Sequence, residues 1–398
     1  MKTRKKYIVA CLLCACLALG HVSEVQGATI TENETLQVTE ETVPYVFTTG
    51  DAKDLEGMNS YTITVKKEEQ KEVYVPVTAS GSGLMVYSLG CKNEIVSQGA
   101  VSVAVYDEQR ELVSGTEKSF HFGGVENTVY AKSFYAQKGK TYYLKLSVSE
   151  DLSIKEDDYE FQLDLQQISS ENRTLKDKKV VKAYQPEEGS SLYYKIDIKK
   201  SGYITVDTLY DLEDCGNPSV VLCDSKKKTI SAKASNNLLS ENQSVFAVKK
   251  GIYYLKVKDI TGSYQISYHF TAVTDKSGSK KSKAKKLTLG GAKLKGIVLV
   301  TEKKTKYDWY KFTLSKSSAV RITFTGSTTG SSKIKLEVIP PASNIKFDKK
   351  PILSFQGIDS SGSGKSGAKW PAGTWYIRVN KSADNGSGVY SLGVKKVR

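Results

Sequence analysis

Beyond residue 27 the apolar positions of this chain recur every second residue, and no window shows the 3.6-residue spacing of an amphipathic helix. That alternation predicts β-strands with one face inward and one outward. Three opening strands align without a gap: Val73-Tyr74-Val75-Pro76-Val77 before Ser80-Gly81, Tyr194-Lys195-Ile196-Asp197-Ile198 before Ser201-Gly202, and Tyr310-Lys311-Phe312-Thr313-Leu314 before Ser317-Ser318. In that alignment Val77, Ile198 and Leu314 are equivalent, at separations of 121 and 116 residues, so the repeating unit is a small domain with its own core.

Each unit closes alike. A glycine turn feeds an alternating strand in Gly139-Lys140-Thr141-Tyr142-Tyr143-Leu144-Lys145-Leu146, in Gly251-Ile252-Tyr253-Tyr254-Leu255-Lys256-Val257 and in Gly373-Thr374-Trp375-Tyr376-Ile377-Arg378-Val379. A short aromatic strand follows each, opening at Tyr159, Tyr264 and Tyr390. Short strands separated by turn signals about every dozen residues predict an all-β fold of three tandem β-sandwiches. In the glycine-turn strands, parity sends Tyr142, Leu144 and Leu146 inward, with Tyr253, Leu255, Val257, Trp375, Ile377 and Val379. The same parity turns Tyr143 with Lys145, Tyr254 with Lys256, and Tyr376 with Arg378 outward. An aromatic beside a cation on one strand face is a candidate binding surface, and equally a common cross-strand packing arrangement.

Asp308-Trp309-Tyr310-Lys311-Phe312 and Gly373-Thr374-Trp375-Tyr376-Ile377-Arg378-Val379 resemble the bacterial pre-peptidase C-terminal domain family, related to the collagen-binding domains of bacterial collagenases. The second unit fits the pattern too. The first diverges, with Glu72-Val73 where the third has Trp309-Tyr310. The resemblance covers most of residues 60–398 and implies jelly-roll-like sandwiches, an accessory role and no active site of their own. Collagen-binding members of that family use exposed strand aromatics, and relatives in collagenases bind calcium near the domain start.

The N-terminus reads differently. Lys2, Arg4, Lys5 and Lys6 precede an apolar run from Tyr7 to Gly20, and small residues follow at Gly27 and Ala28, the pattern of a secretory signal cleaved after one of them. The run is 14 residues, short of the ~20 that span a bilayer. Leu13-Cys14-Ala15-Cys16 only loosely resembles a lipobox. The expected division is a signal at 1–27, an acidic Thr-rich leader or added edge strand at 28–58, sandwiches at 59–168 and 169–273, a mobile Lys/Ser-rich linker at 274–286, and a basic sandwich at 287–398. Gln166 to Asn172 marks the first boundary. Of six cysteines, Cys91, Cys215 and Cys223 lie beyond the signal, and an odd number cannot all pair within one chain. The strand predicted at Ser219 to Leu222 would hold Cys215 and Cys223 apart, so free thiols are expected.

Charge changes the picture more than composition does. The chain carries +15, yet residues 276–398 hold 26 Lys/Arg against 6 Asp/Glu, while residues 28–275 hold 28 against 36. The third unit is therefore a strong cation in a compartment whose anions are wall polymers, lipid headgroups and acidic polysaccharides. Catalytic material is scarce. Only His121 and His269 lie beyond the signal, in different units, which leaves almost nothing for nucleophilic triads or zinc hydrolysis. Gly362-Ser363-Gly364-Lys365-Ser366 imitates a phosphate loop, but Asp359 occupies the place of its first glycine and no helix pattern follows. Acidic residues are plentiful but nothing singles out a catalytic pair.

No cofactor is expected. Asp207, Asp211, Glu213 and Asp214 form an acidic loop that is a weak calcium candidate, without EF-hand spacing. The functional expectation is a secreted or wall-associated, non-enzymatic binding or adhesion protein. Its partner would be an anionic cell-wall polymer, a polysaccharide or a matrix protein, with nucleic acid bound only non-specifically and no stable membrane insertion. The alternatives are a polymer-degrading enzyme with an unmarked site, and a spacer or partner subunit of another secreted protein.

Overall fold

The computed structural model describes residues 28–30, 36–38, 59–67, 72–123, 132–185, 190–210, 219–235, 242–341, 352–357, 359–366 and 368–397. The signal at 1–27, Cys215, Asp211, Glu213 and Asp214 lie outside them. The described residues fold as β-strands without an α-helix, and no helix among them is long and apolar enough to cross a membrane.

One strand order is used three times. The eight principal strands of the first sandwich are Asn59–Lys66, Glu72–Ala79, Gly83–Cys91, Gly99–Tyr106, Lys118–Phe122, Lys132–Ala136, Thr141–Val148 and Asp158–Ser169. Those of the second are Val181–Gln185, Leu192–Ile198, Gly202–Tyr210, Ser219–Cys223, Ala234–Ser235, Asn242–Val248, Gly251–Lys258 and Gly262–Ala272. Those of the third are Leu294–Val298, Asp308–Leu314, Ala319–Thr328, Lys333–Ile339, Leu353–Gln356, Ser360–Lys365, Gly373–Lys381 and Gly388–Val397. In all three, one sheet runs first, eighth, third, sixth, and its partner sheet runs second, seventh, fourth, fifth. This is jelly-roll topology, and each pair of sheets encloses its own hydrophobic cluster. Ala28–Ile30 and Leu36–Val38 pair in parallel with the first and second strands of the first sandwich, so part of the acidic leader adds an edge strand to each of its sheets.

The seventh strand, the one fed by the glycine turn, lies between the second and fourth. Its inward residues are buried in every copy, and Trp375 is 0% exposed. The Trp375 ring stacks on Trp370 at 4.4 Å, and its Nε1 donates to the Pro371 carbonyl at 3.1 Å. Register corrects the gapless alignment. Tyr142 lies opposite Val77, Tyr253 opposite Ile196 and Trp375 opposite Phe312, so the partners of Val77 in the later sandwiches stand two residues before Ile198 and Leu314. A slip of two keeps every side chain on its face, whereas a slip of one would have reversed them all. The outward counterparts of Tyr74 are thus Tyr193 and Trp309.

The segment expected as a mobile linker is instead built into the third sandwich. Lys276 N–H donates to the Lys295 carbonyl at 3.0 Å, and Gly278 exchanges two backbone hydrogen bonds with Trp309. After a short 3-10 turn at Lys281–Lys283, Lys285–Lys286 pairs in parallel with the second strand. Ala284 and Leu287 are buried. Composition suggested a linker because Lys and Ser side chains have no need of a core, but the backbone of such a run still completes a sheet edge.

The joints are ordered as well. The Gln167 side chain accepts from Gly81 N–H and Ser80 Oγ, each at 3.1 Å, and returns a bond to the Gly81 carbonyl. Gln166, in the expected boundary, accepts from Lys182 of the second sandwich at 3.0 Å. At the other joint the sixth strand, Asn242–Val248, is a sheet edge whose free backbone groups are taken up by the third sandwich. Val300 N–H donates to the Ala247 carbonyl at 2.9 Å, Ala247 N–H donates to Ser387 Oγ at 3.1 Å, and Thr329 Oγ1 donates to the Val245 carbonyl. The Val300 side chain joins the second hydrophobic cluster.

Lys381 braces the third sandwich's side of this joint. Its ammonium, on a side chain 1% exposed, donates toward four backbone carbonyls: Leu299 at 3.0 Å, Val300 at 3.1 Å, Asp384 at 2.8 Å and Gly386 at 2.8 Å. Burial pulls its pKa down to about 8, while Glu302 and Asp384 favour the charged form.

Candidate functional site

The outward face of each seventh strand presents the six residues that the sequence singled out, and the three faces differ in what surrounds the cation. In the first sandwich Lys145 lies opposite Tyr74 and pairs with Glu72 at 2.7 Å. The glutamate raises the Lys145 pKa by hydrogen bonding and has its own lowered in return. Tyr143 is covered, because the Arg110 guanidinium lies 3.5 Å from its ring centre and 5.2 Å from that of Tyr74.

In the third sandwich Arg378 lies opposite Trp309 on one side and Glu337 on the other. Glu337 holds it through Nε at 2.6 Å and Nη2 at 2.5 Å, and the guanidinium sits 4.4 Å from the Tyr307 ring centre. Lys281, from the former linker, stands 4.8 Å over Tyr376. Lys311 lies opposite Tyr376 on the second strand, and Lys285 and Lys286 run along the same edge, both exposed.

In the second sandwich Lys256 lies opposite Tyr193, and Tyr254 lies opposite Lys195. Lys227 stands 4.9 Å over Tyr193 and 5.4 Å over Tyr254, with Lys256 5.2 Å from Tyr193. Among the described residues no carboxylate pairs with Lys195, Lys227 or Lys256.

Arg110 and Lys227 were not picked out by sequence reasoning. Both occupy the same turn after the fourth strand. Asp107 Oδ1 accepts from Gln109 and Glu111 N–H at 2.9 Å each, and Asp224 Oδ1 accepts from Lys226 and Lys228 N–H at 2.9 and 3.0 Å. That cap holds Arg110 at φ 66° and Lys227 at φ 62°, a left-handed conformation that folds the basic side chain back over the tyrosines. The signal was an Asp three residues before a basic residue, once in each of two repeats.

The remaining candidates stay apart. Asp207 Oδ1 accepts from Gln243 Nε2 at 3.0 Å, and no cluster of three or more metal-binding side chains occurs among the described residues. His269 Nδ1 lies 3.3 Å from Asp177, and His121 is exposed on a different sandwich. The phosphate-loop lookalike is the edge strand Ser360–Lys365, with no helix after it. Cys91 is half-buried and Cys223 buried, both as free thiols.

No family model and no curated protein matches the chain. Among solved structures it is similar to tripeptidyl peptidase 2, at 11% identity over 60% of this chain and 24% of that one, with a TM-score of 0.22. The chain thus spans about a quarter of the length of that peptidase. It is also similar to the CBM22-1–CBM22-2 tandem domain of Xyn10C from Paenibacillus barcinonensis, at 11% identity, 56% and 88% coverage and a TM-score of 0.20. A triple jelly roll protein of an archaeal virus gives 8% identity, 84% and 87% coverage and 0.17.

Proposed function

We propose that the protein is a secreted, non-enzymatic binding or adhesion protein that holds an anionic extracellular or cell-wall polymer, its main contact being the basic third sandwich. The pre-peptidase C-terminal resemblance accords with such an accessory role. One observation carries the reading. Lys281, Lys285 and Lys286, from the segment read as a linker, lie along the edge of the sheet that displays Trp309, Tyr376 and Arg378, within a unit of net charge +20. Lys281 over Tyr376, with the exposed Lys285 and Lys286 on the adjoining sheet edge, suits a polyanion with apolar ring surfaces.

The test uses the full chain. Lys281, Lys285 and Lys286 changed together to Gln should weaken retention on immobilised acidic polymer and flatten its dependence on salt, since fewer counterions are released. Replacing three exposed lysines of the second sandwich, Lys199, Lys226 and Lys228, is the control. Equal loss in both sets would reduce the effect to net charge and remove the third sandwich as the contact. Tyr376→Ala should lower affinity while leaving the melting temperature nearly unchanged; a fall in melting temperature with intact affinity would mark the tyrosine as packing.

A further inference from the structure

We infer that the outward face of the second sandwich, Tyr193 and Tyr254 with Lys227 and Lys256, is a subsite for a carboxylate-bearing sugar of an acidic polysaccharide. The inference rests on the polymer-binding reading and gives it a ligand chemistry at a place separate from the third sandwich.

The argument is an internal comparison. The cation of the seventh strand is the same element three times over, and in two of the three copies a protein carboxylate occupies it. Glu72 reaches Lys145 from two residues before Tyr74, and Glu337 reaches Arg378 from the facing position on the fourth strand. In the second sandwich both places have lost the acid. Ser191 stands two residues before Tyr193, and Val221 faces Lys256. The cation is retained while neither place supplies an acid and no carboxylate among the described residues pairs with it, and the two siblings show which anion fits it, a carboxylate at 2.5 to 2.7 Å.

The tyrosines point to a sugar rather than an acidic peptide. In the first sandwich the Arg110 guanidinium lies over Tyr143 at 3.5 Å from its ring centre and closes that ring face. Its counterpart Lys227 stands off at 4.9 and 5.4 Å, so the Tyr193 and Tyr254 rings, both half-buried, are not sealed by it. A pyranose can lay its C–H face on a tyrosine while its carboxylate meets Lys256 and Lys227, whereas a glutamate side chain offers the charge without the ring. Asp224, the nearest acid in sequence to Lys227, is occupied in capping the turn that carries it.

The experiment titrates the full chain with short oligogalacturonate by calorimetry, with a neutral oligosaccharide of equal length and poly-glutamate as comparison probes. Binding of the oligogalacturonate is expected to weaken at least tenfold in Lys256→Ala, in Lys227→Ala and in Ser191→Glu, the last copying Glu72 at a half-buried position beside the edge strand, with an unchanged melting temperature as the check on its fold. Lys281, Lys285 and Lys286 changed to Gln should leave this titration unaltered. The inference is overturned if the wild-type chain does not bind oligogalacturonate, if Ser191→Glu and Lys256→Ala bind as wild type, or if poly-glutamate binds as tightly as the uronate. Loss of the short-oligomer signal in the Lys281, Lys285 and Lys286 variant also overturns it and leaves the third sandwich as the contact. Conversely, uronate binding abolished by Ser191→Glu, together with polymer retention indifferent to those three lysines, upholds the subsite and removes the third-sandwich reading.

Discussion

The second and third sandwiches share a strand order and a buried hydroxyl pair, yet the third sets a buried carboxyl against that pair where the second has a leucine. Tyr194 and Tyr264 share a hydrogen bond of 2.7 Å between the sheets of the second, and Tyr310 and Tyr390 share one of 3.0 Å at the matching place in the third. Two residues before the first tyrosine of each pair stand Leu192 and Asp308. Tyr390 donates to the Asp308 carboxyl at 2.7 Å, and Asp308 is 4% exposed. Burial, reinforced by the nearby Asp275, pushes its pKa up to about 7. With Lys381 on its side of the joint, the third sandwich carries both signs of charge within its body as well as an excess of one sign on its surface. A single replacement between repeats thus converts an apolar wedge into a group whose protonation is tied to folding.

The largest effects test whether the two cores are equivalent. Trp375→Ala should cost roughly 3–5 kcal/mol in chemical denaturation, and Tyr253→Ala at the matching inward position a comparable amount. A neutral Trp375→Ala would mean that the faces of the seventh strand are reversed. Next comes the joint. Lys381→Met strips four carbonyls of their donor and should cost about 3 kcal/mol. Calorimetry should then resolve the third sandwich as a separate transition, and an unchanged melting profile would show that the carbonyl cage does not brace the joint.

Asp308 gives a smaller effect with a definite sign. Its folded pKa lies above the ordinary carboxylate value of about 3.9, so the folded state binds more protons than the unfolded chain between the two. The associated stability is fully present below pH ~3.9 and is lost as pH rises through about 7, amounting to about 2 kcal/mol between pH 5 and 7. Asp308→Asn should flatten that part of the stability profile, and a variant that kept the slope would place the titration elsewhere. The smallest effect is expected on the first sandwich, where Lys145 and Glu72 are 21% and 51% exposed. Lys145→Ala should change its stability by no more than ~0.5 kcal/mol, and a loss several times larger would give the surface pair a structural role that the third sandwich's Arg378 should then share.

Period-two alternation alone placed Trp375, Ile377 and Val379 inward and Tyr376 and Arg378 outward, because a strand has two faces and parity chooses between them. The same parity made the two-residue error in aligning Val77 with Ile198 and Leu314 harmless for every face. Glycine turns and recurring strands were sufficient for the all-β reading, since they are local properties of the chain. Other features depended on what the backbone meets elsewhere. The run from Lys276 to Lys286 reads as a linker, yet its peptide groups complete a sheet edge that lies beside it only after folding. Arg110 and Lys227 reach their tyrosines through a left-handed turn and a register that no single strand specifies. Lys381 and Asp308 are the same letters as the solvated lysines and aspartates around them. Only the packing of distant segments adds the Leu299 and Val300 carbonyls to those of the local turn around one and sets a tyrosine against the other, and it is the removal of water at those points that gives each its chemistry.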